Sequence, residues 1–168
     1  MKYSYLLFIL SIVLLGCSKR KGIEESSSFV FPESLSKMEF GLQDSASNIS
    51  KMNSKKVIVL INAGCSLCHT EIWQWERFIS KHDSFKNLPI IFIIYGRTFN
   101  TSERLMKNSR LKDFIFLRDP SSETLSANNL KQDKFFNAFL LGDNNKILCP
   151  GNPTLSDKIL NNYLAILK

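Results

Sequence analysis

Lys56-Val57-Ile58-Val59-Leu60-Ile61-Asn62-Ala63-Gly64-Cys65-Ser66-Leu67-Cys68 is the stretch on which the fold turns. Val57 to Ile61 is a continuous apolar run of strand length, the pattern of a strand covered on both faces. Helical spacing follows at once over Leu67 to Ser80, where Cys68, Ile72, Trp75 and Ile79 recur at intervals of four, three and four. Cys65 therefore falls at a helix N-terminus. Unpaired backbone N–H groups and the helix dipole stabilise negative charge there, which favours the reactive thiolate. Cys68 comes one turn later, on the apolar face with Ile72 and Trp75. An accessible nucleophile beside a sheltered resolving thiol is what disulfide exchange requires.

Outward from this centre the pattern alternates. Pro89 to Tyr95 reads as a second buried strand, Asn100 to Arg110 as a helix and Phe114 to Leu117 as a short strand. Asp119-Pro120 reads as a helix cap with proline in the first helical position. Phe136 to Leu141 and Lys146 to Cys149 flank Gly142-Asp143-Asn144-Asn145 as a hairpin. A last helix is expected from near Thr154, with Asp157 as its capping partner and Leu160, Tyr163, Leu164 and Leu167 on one face. The order β-α-β-α-β-α-β-β-α predicts an α/β fold. Its central mixed sheet carries helices on both faces and ends in a β-hairpin plus helix.

The N-terminus has a separate logic. Tyr5 to Leu15 is apolar but too short to span a bilayer, which takes about 20 helical residues. With Lys2 ahead of it, it reads as a secretory signal. Leu14-Leu15-Gly16-Cys17 resembles the lipobox of bacterial lipoproteins, which implies acylation of Cys17 and a protein held on the membrane, facing the periplasm or an equivalent exported space. The expected division is a signal peptide over 1–16, an anchor, tether and weakly patterned segment over 17–54, and the main domain over 55–168. Within 17–54, Phe29-Val30-Phe31 and Met38-Glu39-Phe40 are the candidate short strands. The formal charge is +7, and loss of Lys2 with the leader leaves +6. Lys19, Arg20 and Lys21 sit where anionic headgroups would meet them. No basic stripe is interleaved with aromatics, so a nucleic-acid partner is not expected.

Residues 55–167 resemble the thioredoxin superfamily, and in layout the TlpA-like periplasmic thiol-disulfide oxidoreductases. The resemblance is carried by the strand, loop and Cys65-Ser66-Leu67-Cys68, by Phe116-Leu117-Arg118-Asp119-Pro120, and by Phe139-Leu140-Leu141-Gly142-Asp143-Asn144-Asn145-Lys146-Ile147. It implies a thioredoxin-like fold and an exported thiol-disulfide oxidoreductase in which Cys65 attacks and Cys68 resolves. Its partners would be exported proteins with thiols or disulfides and a membrane redox partner. No cofactor or metal is implied.

The sequence departs from that family at three points. Gly64 stands where tryptophan usually precedes the first cysteine. Val59 stands where many thioredoxins bury an acid. Phe136 aligns with the cis-proline that opens the hairpin strand and, with Gly64, would form the substrate edge. A cis bond before a non-proline residue costs about 2.5–4 kcal/mol, so a trans bond is expected. These departures keep open a second class, a redox-inert thioredoxin-like binding module.

Cys65-x-x-Cys68-His69 also spells the c-type haem attachment motif, with Met106 as a thin supply of sixth ligand. Zinc has no second cysteine or histidine pair at ligand spacing. His69 reads as a first-turn polar residue and His82 as a helix C-terminal histidine. Trp75 is expected in the core and Trp73 partly exposed, with Glu71 and Glu76 as solvated charges. Cys149 reads as a small apolar strand residue, with a third exchanging thiol as the sharper alternative.

Overall fold

The computed structural model describes residues 27–38, 45–99 and 114–168, and the side chains of 66–69 fall outside that description. The leader, Cys17 and the helix expected over Asn100 to Arg110 lie outside it as well.

The elements follow from alternating apolar runs and turn residues. They are β1 (Ser36–Lys37), α1 (Ala46–Lys51), β2 (Lys56–Asn62), α2 (Ser66–Lys81), β3 (Ile90–Tyr95), β4 (Ile115–Asp119), α3 (Glu123–Ala127), β5 (Ala138–Leu141), β6 (Ile147–Pro150) and α4 (Asp157–Leu167). The six strands form one mixed sheet in the order β1-β4-β3-β2-β5-β6. β2 pairs parallel with β3 and β3 with β4, while β5 and β6 run antiparallel beyond β2.

Strand alternation divides the core between two faces. Val57, Val59 and Ile61 pack with Ile72, Trp75 and Phe78 of α2 and Tyr163 of α4. Ile58 and Leu60 pack on the other face with Phe29, Leu35 and Ile49. Parallel strands covered on both sides explain why β2 and β3 read as unbroken apolar runs.

Several boundaries differ from expectation. Phe29-Val30-Phe31 forms no strand. Instead the chain from Ser27 makes a strap across one face, bridging Ser28 to Lys146 and then crossing to the opposite edge, where β1 pairs with β4. Phe29 is buried and its ring meets Phe31 and Phe139 at 5.0 and 5.6 Å. The folded body thus includes segments well before residue 55. Pro120 lies in a turn and not in the first helical position. The Asp119 carboxylate reaches over that turn to accept from the N–H groups of Glu123 and Thr124, at 3.0 and 2.8 Å. α4 starts at Asp157, capped by Ser156. Thr154 lies in the preceding turn, where its N–H and hydroxyl both donate to Asn152 Oδ1.

If the strap is integral, Phe29→Ala should remove about 3–5 kcal/mol of unfolding free energy, the cost of truncating a buried phenylalanine. Equilibrium denaturation measures it. A loss below about 0.5 kcal/mol, typical of a surface change, would make the strap a mere tether.

Candidate active site

β2 delivers the chain to the site through Asn62. Its backbone oxygen accepts from Cys65 N at 3.2 Å and its side-chain Oδ1 from Gly64 N at 2.8 Å, which closes a tight turn. Ala63 N remains tied to Tyr95 O on β3 at 2.8 Å. Cys65 is thereby set as the N-cap of α2, partly accessible and disulfide-bonded. Cys68 and His69 lie in the first turns of α2.

Gly64 is exposed, and a Cβ added there would meet only Asn62 Oδ1, at 3.4 Å. Its backbone makes no demand for glycine.

Phe136 does not open the strand. β5 begins two residues later at Ala138, and no peptide bond among the described residues is cis. Phe135 N and Phe136 N both turn back onto Asp133, to its Oδ1 at 2.9 Å and its backbone oxygen at 3.1 Å. Both rings are left nearly half exposed, at 45% and 43%. Trp73 is exposed to a similar extent while Trp75 is fully buried, as expected for the two faces of α2. His82 caps α2 and packs its ring 4.5 Å from that of Phe78.

Glu71 overturns the expectation of a solvated charge. It is only 8% exposed. Its Oε1 accepts from Asn137 Nδ2 and from Asn152 Nδ2, each at 2.7 Å. Asn152 Nδ2 also donates to Asn137 Oδ1 at 3.0 Å, and Asn137 Nδ2 to Leu60 O at 3.1 Å. Burial raises the Glu71 pKa, and the donated hydrogen bonds of the two asparagines, with a weaker pull from the Trp75 indole, offset part of that rise. Tyr95 is raised chiefly by burial, and the charge of Glu71 adds to that. Val59, where many thioredoxins bury an acid, lies fully buried in the core, and the buried acid of this structure is Glu71 on α2. Helical spacing carried a signal, since Glu71 lies three residues beyond Cys68 and beside Ile72. Asn137 and Asn152 carried none.

Cys149 is outside any disulfide, buried and paired with Leu140, which in turn pairs with Val57. That places it near the start of β2, about 16 Å along the strand from Asn62 at roughly 3.3 Å per residue. A disulfide needs Cα atoms within about 7 Å, so the third-thiol alternative fails and Cys149 is a core residue.

No known family profile matches the sequence, and no curated protein does. Solved structures do. A Chlorobium tepidum protein described as a DsbE-type thiol:disulfide interchange protein superposes with a TM-score of 0.60 at 14% identity, covering 88% of this chain and all of its own. The thioredoxin domain of a thiol-disulfide oxidoreductase from Bacteroides vulgatus gives 0.54 at 14% identity, over 72% of this chain and 84% of that one. A secreted disulfide oxidoreductase from Mycobacterium tuberculosis gives 0.50 at 14% identity, over 70% and 85%. The fold is thioredoxin-like.

The raised pKa of Glu71 has a definite sign in stability. The folded state holds this proton more tightly than the unfolded chain, so the contribution is full below the ordinary glutamate range and is lost as pH rises through the raised value. Glu71→Gln keeps an oxygen acceptor for both asparagines and removes the charge. It should abolish this fall and leave neutral-pH stability equal or higher. Denaturation midpoints across pH 4 to 8 check it; an unchanged pH dependence would contradict it.

Proposed function

We propose that this chain is an exported, lipid-anchored thiol-disulfide oxidoreductase that exchanges a Cys65–Cys68 dithiol/disulfide with protein substrates. The observation that carries the reading is a partly accessible, disulfide-bonded cysteine serving as the N-cap of α2 at the end of the central strand. A structural crosslink has no need of that position, whereas a nucleophile gains from it.

In the reductive direction the Cys65 thiolate attacks one sulfur of a substrate disulfide. A mixed disulfide forms, and the first substrate thiolate leaves and takes up a proton. The Cys68 thiolate then attacks the Cys65 sulfur and releases the second substrate thiol. Two electrons and two protons pass to the substrate while the pair is oxidised, and the reverse sequence oxidises a substrate dithiol. Cys68 must lose its proton for the second step. Glu71 lies one helical turn beyond it, with its pKa raised toward the range where a carboxyl exchanges protons efficiently. The substrate edge is assigned to Gly64 and Phe136, both exposed.

Among the described residues no helix is long and apolar enough to cross a membrane. Attachment is assigned to acylated Cys17, with the folded body facing the exported space.

In the reduced protein, iodoacetamide should modify Cys65 before Cys68 at neutral pH. In cells, Cys68→Ser should accumulate mixed disulfides in the membrane fraction, Cys65→Ser should not, and adding Cys17→Ala should move the adducts out of that fraction. Faster alkylation of Cys68 would reverse the assigned roles, and adducts still on the membrane without Cys17 would remove the anchor.

A further inference from the structure

Asn137 and Asn152 take no part in the exchange chemistry, yet their amides meet on one oxygen of a buried carboxylate. Three segments end there. Glu71 belongs to α2, six residues and about 9 Å of helical rise beyond Cys65. Asn137 closes the turn that presents Phe135 and Phe136, and its backbone oxygen accepts from Leu60 N at 2.7 Å. Asn152 follows β6, and its N–H donates to Phe135 O at 2.8 Å. Its own placement is fixed by Thr154, which donates twice to its Oδ1.

The aromatic segment therefore has no ladder of its own. It is held from below where Asn137 O accepts from Leu60 N of β2, from the side by Asn152, and across to the cysteine-bearing helix through Glu71. Each side-chain donor is used: Asn152 Nδ2 serves Glu71 and Asn137, and Asn137 Nδ2 serves Glu71 and Leu60. A buried polar cluster satisfied in this way fixes one geometry, because any displacement leaves a desolvated donor or charge unpaired.

We infer that Asn137 and Asn152 are positioning residues: through the Glu71 carboxylate they hold the Phe135–Phe136 edge in register with Cys65, and so set how well a polypeptide disulfide, as opposed to a small one, is presented to the thiol. The inference rests on the exchange reading above. It concerns the substrate's fit to the edge and leaves the electron balance of that exchange unchanged.

Asn152→Asp is the sharpest probe. It keeps an oxygen for Thr154 and the backbone N–H that donates to Phe135 O, and removes both hydrogen bonds donated by the side-chain amide. The reduced full chain, freed of reductant, is mixed in single turnover with insulin and separately with 5,5′-dithiobis(2-nitrobenzoate), a disulfide too small to need the edge. A defect in thiol chemistry or in the folded fraction lowers both rate constants together and cancels in their ratio. A displaced edge lowers the insulin-to-small-disulfide ratio, by about tenfold or more for the loss of a hydrogen bond to a charged group. Asn137→Ser, which leaves the turn at 152 intact, should lower it similarly. Glu71→Gln keeps the accepting oxygen and should hold the ratio within about twofold of wild type even where both rates fall. An unchanged ratio in both asparagine variants would overturn the positioning role. A wild-type chain inert toward insulin would instead remove the exchange reading, and this inference with it.

Discussion

Everything else in the molecule is referred to β2, which is hydrogen-bonded on both edges and covered on both faces. Its residues Val57 to Ile61 have almost no accessible surface. Burial of five large aliphatic side chains contributes on the order of 1.5–3 kcal/mol each, before the entropy of ordering them. A strand so constrained leaves no freedom in where its C-terminal end emerges. Asn62 converts that fixed end into a turn, with its backbone and side-chain oxygens taking the next free N–H groups. Cys65 owes its position at the head of α2 to this chain of constraints. α2 is anchored in turn by Ile72 and Trp75 against the same strand.

The second constraint is electrostatic. A carboxylate taken out of water is expensive unless its lone pairs are met by well-placed donors. Glu71 is met by two amides from segments distant in sequence, and residual desolvation still raises its pKa. Such a group stabilises the fold less at neutral pH than an apolar residue of its size would. Its place fits the proposed exchange: it stands one helical turn beyond Cys68 and is hydrogen-bonded to the two asparagines that flank the aromatic segment. Gly151 shows how tightly the neighbouring turn is drawn. Its φ is +112°, and a Cβ there would come within 2.6 Å of Ile159.

Much of this was readable in the residues, and most of the parts that were not share a cause. Periodicity reports burial, so β2, β3, β5 and the inner face of α2 were legible, as was the cysteine pair at the strand-to-helix junction. The strap over 27–38 was not, because its serine-rich sequence has no period and it is held by single aromatics such as Phe29. Glu71 was misread because a charged residue on a helix is ordinarily solvated, and the donors that permit its burial come from 66 and 81 residues away. The start of α4 differs as well: Thr154 lies in the preceding turn, bonded to Asn152. Phe136 was placed in the strand by alignment on Phe139-Leu140, but the chain turns at Asp133 and enters the ladder only after Asn137. For Glu71, Thr154 and Phe136 a side-chain hydrogen bond marks the difference, and sequence patterning does not display those.

The central claim is that the cysteine pair is poised to exchange and does not serve as an inert crosslink. The reduction potential of the Cys65 couple, measured by equilibrating the full chain with defined dithiothreitol or glutathione buffers and trapping free thiols, decides between them most directly. An exchanger should fall in the range of known thiol-disulfide oxidoreductases, about −120 to −270 mV. A value below about −300 mV, typical of structural disulfides, would contradict the account.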